Sequence, residues 1–413
     1  MTALLHRTPS QPVDTTAWAI GAPRLLAGLN TADSLDLRGH LATHGALPGT
    51  DLPHLLAFLD ASRLAGRGGA GFSFATKLRA LADGSRHVVV NGTESEPASR
   101  KDRTLLRRSP HLVLDGALAT ASAVGARRVT VAVHDETTAA RVRAAVAERA
   151  DARRVDVRTL AGGFVGGEAR AVVRALQDGP ALPPGRRTPP TATGTLVSNA
   201  ETFAQVAVLL RMGPHRFAET GTHAEPGTTL LTVGGAVGRP GVVEIPFGTP
   251  LGIVLAAAHA AEPQAIVIGG YHGSWLAPIP QIRLGREGVA SAGGSFGAGV
   301  LLVVDQATCA LGELARVTGW LAGESAKQCG PCRFGLPALA ADVDALVAGR
   351  PAVAAALGHA RAIDGRGACA HPDGAARFVT SGIHLLHDET DRHLAFGGCG
   401  RPVLGRLPVG GPR

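Results

Sequence analysis

The stretch "VVVNGTESEPASRKDR", residues 88–103, runs three valines straight into a cluster of amide, carboxylate and cationic side chains. The valines read as a buried strand. Upstream lie a helix, "LPHLLAFLDASRL", a glycine loop, "GRGGAGF", and a helical stretch around "ATKLRALADG". Downstream the pattern alternates: helix "HLVLDGALATASAVGA", strand "RRVTVAV", helix "TTAARVRAAVAERA", strand "RRVDVRTL", loop "AGGFVGG", helix "EARAVVRALQ". Strands that alternate with helices imply right-handed crossovers and an α/β fold, a doubly wound, mostly parallel sheet. Such sheets hold ligands at the carboxyl ends of their strands, where residues 91–103 would lie.

Beyond the Pro/Gly-rich segment "DGPALPPGRRTPPTATG", residues 178–194, the reading changes. "TTLLTVGGAV" and "VVEI" flank a Gly/Pro turn and predict a hairpin; the helix "PLGIVLAAAHAA" and the strand "QAIVIGG" follow. Hairpin, helix and strand in that order suggest a small β-grasp-like domain. From residue 307 the pattern is helical and predicts a C-terminal helical bundle. Expected boundaries are a lead-in over residues 1–54, the α/β domain over 55–226, the β-grasp-like domain over 227–306 and the bundle over 307–413.

Composition narrows the function classes. Of 413 residues 45% are hydrophobic and 18% charged, which describes an ordered globular chain. The first twenty residues lack an apolar signal core and no run is long enough to span a membrane, so the expectation is a cytoplasmic protein. In that compartment five cysteines point to metal binding, catalysis or burial rather than to structural disulfides. The net charge of +8 comes from scattered arginines, with one Tyr and three Trp for base stacking, so nucleic acid is not the expected partner. Lysine occurs only at Lys77, Lys101 and Lys327, where a compact point charge would serve better than a planar fork.

The glycine loop, residues 66–72, can turn with positive φ and aim N–H groups at an anion, with Lys77 within reach of a phosphate. It is neither a Walker loop nor a dinucleotide fingerprint at its usual spacing. Asn91, Glu94, Glu96, Lys101, Asp102 and Arg103 follow the valine strand. "GGFVGGEA" places Glu168 at a helix N-terminus, and "VSNAET" supplies Ser198, Asn199 and Thr202. Several such loops on one sheet edge argue for a phosphorylated, hydrogen-bond-rich cofactor.

In this order and spacing, "GRGGAGF…K", "N-x-x-E-x-E-P-x-x-x-K-D-R", "GGE" and "SNAET" resemble the NADH-oxidising FMN/iron–sulfur flavoprotein of respiratory complex I, the F-subunit family of bacterial NADH-quinone oxidoreductase. They are also similar to its relatives in NAD-linked hydrogenases and formate dehydrogenases. The likeness spans residues 55 to 399. It implies FMN held by Gly66, Arg67, Gly68, Lys77, Asn91, Glu94, Gly167, Glu168, Ser198, Asn199 and Thr202, with Lys77 near the phosphate. Phe72 is placed to stack on an adenine. Glu94 and Glu96 become the candidate catalytic pair, expected to orient the nicotinamide end rather than titrate. NADH or a related dinucleotide is the implied substrate. A ferredoxin-like or other electron-transfer subunit is the implied partner, in an assembly peripheral to a membrane.

"ESAKQCGPCRFG", residues 324–335, admits three chemistries. Cys329 and Cys332 could be a dithiol redox pair, although helix and loop precede them instead of a strand. With Cys369 and His371 they could hold zinc. The resemblance implies an iron–sulfur cluster, 4Fe-4S or 3Fe-4S, in which Cys329, Cys332 and Cys369 match three ligands while Ala326 stands at the first ligand's position. Cys309 or Cys399 could then substitute.

Other departures concern the nicotinamide end. Thr93 stands where the family has an acidic residue, and Ala169 replaces the second Glu of "GEE". Ala80 and Thr191 replace aromatics. FMN binding is expected to survive and NADH specificity to weaken. The alternatives are the C subunit of Rnf-type ferredoxin–NAD oxidoreductases, whose doubled Cys-x-x-Cys-x-x-Cys repeat is absent here, and a non-catalytic adaptor that lost its cofactors.

Overall fold

The computed structural model describes residues 16–69, 71–81, 87–185 and 188–410. Residues 1–15 of the expected lead-in, position 70 of the glycine loop and positions 186–187 of the proline-rich segment lie outside them. After a short strand β1 (Ala17–Ala19) come β2 (His87–Gly92), β3 (Arg128–Val133), β4 (Val155–Thr159) and β5 (Thr195–Asn199). The last four form a parallel sheet in the order β4-β3-β2-β5. Val88 and Val90 enter a large core with the helices Leu52–Ser62, Pro110–Ala123 and Ala200–Ala218. Val89, pointing the other way, packs with Ala132, Val172 and Val197. The period-two alternation explains why three successive valines are all buried: helices cover both faces. The chain winds from β2 outward to β4, then returns to place β5 on the opposite side of β2. The direction of winding therefore reverses between β2 and β5, the position at which an open α/β sheet offers a ligand crevice.

The second sheet contains β6 (Thr228–Gly235), β7 (Gly241–Pro246), β9 (Pro263–Ile268), β10 (Ser274–Leu276) and β12 (Val300–Asp305), with a separate small pair β8 (Thr249–Pro250) and β11 (Arg283–Leu284). Its order is β1-β7-β6-β12-β9-β10. The expected hairpin is β6–β7; β12 lies parallel to β6 and antiparallel to β9.

The expected lead-in contributes structure of its own from residue 17 onward. β1 pairs in parallel with β7, and the buried Glu244 carboxylate of β7 accepts the backbone N–H groups of Arg24, Leu25 and Leu26, each at 3.0 Å. Leu25, Leu26 and Leu29 then enter the core of the first sheet. Residues 17–29 thus strap one sheet to the other.

Helices Ala310–Gly323, Leu336–Val347, Val353–Ile363, His371–Leu385 and His387–Phe396 form the C-terminal bundle, whose apolar side packs with Trp275 of β10. Among the described residues no helix is long and apolar enough to cross a membrane.

In the first core, helices Pro110–Ala123 and Ala200–Ala218 approach each other very closely. A Cβ on Gly116 would sit 1.8 Å from the carbonyl oxygen of Phe203. Gly116→Ala forces these backbones apart and should cost about 3 kcal/mol or more, read as a lower urea midpoint with unchanged slope.

Candidate functional site

Asn91 and Asn199 are register partners at the carboxyl ends of β2 and β5, one on each side of the winding reversal. The Asn91 amide donates to the Gly167 carbonyl at 2.9 Å and so draws the loop before helix Ala169–Leu176 onto the end of β2. Its oxygen accepts from the Thr93 hydroxyl at 2.7 Å. A Cβ on Gly167 would meet Ser95 Oγ at 2.2 Å, so only glycine permits this approach. The Asn199 side-chain oxygen accepts from the Thr202 hydroxyl, whose oxygen accepts the Arg67 N–H at 2.9 Å and pins the glycine loop. Ser198 is buried in β5 beside them. The Lys77 ammonium donates to the Val197 carbonyl at 2.9 Å. Four segments distant in sequence therefore meet at one crevice.

These residues fit a phosphorylated flavin. Burial lowers the pKa of Lys77, and a half-buried cation bonded to the neutral Val197 carbonyl favours an anionic ligand. Cβ atoms placed on Gly68 and Gly69 would meet nothing within 4 Å, so the loop backbone is open on that side. Phe72 is 65% exposed, a free ring at the rim. Glu168 caps helix Ala169–Leu176 and pairs with Arg170 at 2.8 Å.

The two candidate catalytic carboxylates have other duties. Glu94, at φ +40°, accepts from Ser99 Oγ at 2.8 Å and from the N–H groups of Asp102 and Arg103 at 2.9 and 3.0 Å. Both of its oxygens accept at the start of helix Lys101–Arg108, and so it positions this helix. Glu96 is buried, and its carboxylate accepts the Tyr271 N–H at 2.8 Å across the boundary between the two sheets. Burial pushes its pKa up to about 7 against the pull of that bond and of the Ala98 N–H.

Lys101 and Asp102 are not open site groups either. The Lys101 ammonium is buried between Asp102 (3.1 Å) and Glu201 (2.9 Å). Burial alone would lower its pKa, but the two carboxylates raise it. Glu201 also accepts from Thr229 Oγ1 and the Leu230 N–H of β6, while Asp102 accepts the Glu201 N–H at 2.8 Å. Glu201 was legible only as part of "SNAET".

Cys329, Cys332 and Cys369 act on one another electrostatically. Burial pushes the Cys332 thiol up to about 12, with Cys329 and Cys369 adding to the rise, and burial likewise raises Cys369. Burial would raise Cys329 too, but N–H groups of Ala368 and Cys332 directed at its sulfur bring it below the ordinary thiol value. The Ala326 N–H reaches the Cys332 sulfur, which puts the departed ligand position on the same pocket. Three thiols with amide donors fit three corners of an iron–sulfur cluster. The zinc set with His371 is corrected. His371 shares its Nδ1 with His272 at 3.0 Å and its Nε2 donates to the Leu321 carbonyl at 2.9 Å, leaving no ring nitrogen for a metal. The substitution of Cys309 or Cys399 into the cluster is corrected as well, since both gather with Glu389 and His393.

A connection invisible in the sequence links the crevice to the cysteines. The Phe164 N–H, in the Gly167 loop, donates to Glu324 at 2.8 Å, and its ring stacks edge-on against His272, Trp320 and His371. Arg170 reaches the Ala368 carbonyl at 3.4 Å, next to Cys369.

Two family models match: the Nuo51 FMN-binding domain over residues 59–208 and the NADH-ubiquinone oxidoreductase-F iron-sulfur binding region over residues 306–393. The chain is 31% identical over 429 aligned positions to the NADH-quinone oxidoreductase F subunit of Mycobacterium tuberculosis, covering 95% of each protein. It is 30% identical to the F subunit of Streptomyces coelicolor, covering 84% of each. Among solved structures it is similar to a chain of an NAD+-reducing [NiFe]-hydrogenase in the H2-reduced state, with a TM-score of 0.81 and 26% identity over 93% of this chain and 68% of that one. The air-oxidised form of such a hydrogenase gives a TM-score of 0.80 at the same identity, over 96% of this chain and 73% of that one.

Because Glu96 is raised from 4.5 to about 7 in the folded state, its contribution to stability is full below pH 4.5 and is lost as pH climbs through 7. Glu96→Gln stays neutral and keeps an acceptor for Tyr271. The melting temperatures of the two proteins should converge near pH 4.5, and the variant should become the more stable by pH 8.

Proposed function

The chain belongs to the F-subunit family of NADH-quinone oxidoreductases, and from that premise we propose how its own residues serve NADH oxidation and electron transfer through an iron–sulfur cluster. When bound, FMN supplies the conversion of a two-electron hydride donor into single electrons for the cluster. The supporting observation is the Asn91–Asn199 register pair at the winding reversal, with the Gly66, Gly167 and Thr202 segments all hydrogen-bonded to it directly or through one bridging group. Lys77 would bind the phosphate. Asn91 and Asn199 would orient the ring system by fixing the loops around it. Phe72 would offer its face to the adenine of NADH. Glu94 positions the helix that follows, and Glu96 closes the boundary with the second sheet behind the site.

Cys329, Cys332 and Cys369 would hold the cluster, with a non-cysteine group or solvent at the corner that Ala326 vacates. Cys329 is the least enclosed of the three. A ferredoxin-like or other electron-transfer subunit would accept electrons on that side, in a cytoplasmic assembly peripheral to a membrane. The grip on NADH is weaker than the family's usual one, because Thr93 is buried and spent on Asn91 and Ala169 carries no carboxylate.

Anaerobic titration with FMN should show saturable binding, and Lys77→Ala should weaken it by roughly ten- to a hundredfold, the worth of a charge-assisted bond. Cys329→Ser should lose iron and keep the yellow flavin spectrum. Absence of saturable FMN uptake by the wild-type chain overturns the reading. Stopped-flow reduction by NADH as fast as in family members with the full acidic set overturns the weakened grip.

A further inference from the structure

We propose that Cys309, Glu389, His393 and Cys399 form a separate structural zinc site at the C-terminal end of the bundle. The ligand atoms of these four residues lie within 4.8 Å of one another. Tetrahedral bonds of about 2.0–2.3 Å to one ion would set such atoms about 3.3–3.8 Å apart, so a small closure completes the sphere. The group serves neither the flavin crevice nor the Cys329–Cys332–Cys369 pocket, and the proposal stands without the functional reading above.

Each ligand is already prepared for a cation. His393 Nδ1 donates to the Val347 carbonyl at 2.8 Å, which fixes the tautomer and leaves Nε2 with its lone pair directed at Cys309 Sγ, 3.4 Å away. A carbonyl on the far nitrogen is the usual outer support of a metal-bound histidine. Cys309 is the N-cap of helix Ala310–Gly323, where its sulfur accepts the Gly312 N–H at 3.2 Å. Glu389 accepts from the Leu311 N–H at 3.1 Å and from Arg401, and keeps lone pairs free. Gly397 and Gly400, both at φ +74°, turn the chain back after helix His387–Phe396 and bring Cys399 over the other three.

Charge and burial select the ion. Cys309, Glu389 and His393 are at most 4% exposed, and Cys399 is half-buried. Once metal binding has displaced the protons of both thiols, two thiolates and a carboxylate facing one arginine carry two net negative charges, which a divalent cation cancels. Two sulfurs, one imidazole and one carboxylate without an open position are the donors of a closed, structural zinc centre. Such a centre would clamp the segment after residue 396, which also returns through Cys309 N–H to Pro402 O (2.8 Å), Leu407 N–H to Glu313 (3.2 Å) and Tyr271 Oη to Pro408 O (2.6 Å).

The test is elemental analysis of the purified full-length chain, kept reduced, stripped with chelator and reloaded with zinc sulfate alone. Wild type should retain one zinc equivalent after desalting and gain several degrees in melting temperature on reloading. Cys399→Ser, at the least buried ligand, and His393→Gln should bind zinc at least about tenfold more weakly. Cys329→Ser should bind it as wild type does. Cobalt loading should give thiolate-to-metal absorption that Cys399→Ser diminishes. The proposal fails if zinc retention is unchanged in Cys399→Ser, if it is lost in Cys329→Ser, if iron occupies the site, or if mass spectrometry under non-reducing conditions finds a Cys309–Cys399 disulfide. Circular dichroism of Cys399→Ser separates loss of the ion from loss of the fold.

Discussion

A buried ammonium between two carboxylates holds the site together. Lys101, Asp102 and Glu201 are all nearly inaccessible, and they join the start of the helix after β2 to the start of the helix after β5. Those two helix starts bound the crevice. Glu201 extends the same network through Leu230 N–H into β6, and the Arg67 guanidinium, 3.8 Å from Glu201 and 4.5 Å from the Phe247 ring centre, extends it into the glycine loop. Desolvating so many charges rarely adds net stability over an apolar core. It does penalise every arrangement in which one partner is displaced, because a lone buried ion costs several kcal/mol. The network therefore selects one relative placement of loop, strands and second sheet. A flat guanidinium would need a wider gap than the one between Asp102 and Glu201, which suits the compact lysine that an otherwise arginine-rich chain keeps here.

Much of the scaffold was legible from periodicity, because a parallel sheet covered on both faces leaves an unambiguous run of valines and its crossover helices recur at fixed intervals. The β6–β7 hairpin was legible from its Gly/Pro turn. β1 was not: three residues pair with a strand more than 220 positions away, and no local pattern encodes that partner. The long-range pairings of Glu201 with Lys101 and of Glu244 with residues 24–26 were hidden for the same reason. Side-chain type was readable; its counterpart across the fold was not.

Glu94 and Glu96 illustrate the limit more sharply. Both stand at the carboxyl end of a strand, where polar residues ordinarily face ligand. A positive φ at Glu94 turns its carboxylate into the first turn of the next helix, where unpaired N–H groups need acceptors. Glu96 is carried to Gly270 and Tyr271, and a Cβ on Gly270 would lie 2.4 Å from its oxygen. Their spacing records how the chain leaves β2.

The Gly167 loop then acquires a meaning that its glycines alone do not carry. Asn91 holds one end of it against the crevice, while Phe164 and Arg170 hold the rest against Glu324, His371 and Ala368, all within a few residues of the cysteines. Electron transfer needs its two centres at a fixed, short separation more than it needs any acid or base. A single segment hydrogen-bonded to both pockets supplies that constraint, and Gly167 is small because a side chain there would push the crevice away from β2. Loss of the first cluster ligand at Ala326 leaves this bridge intact, since no bond of the loop passes through that side chain.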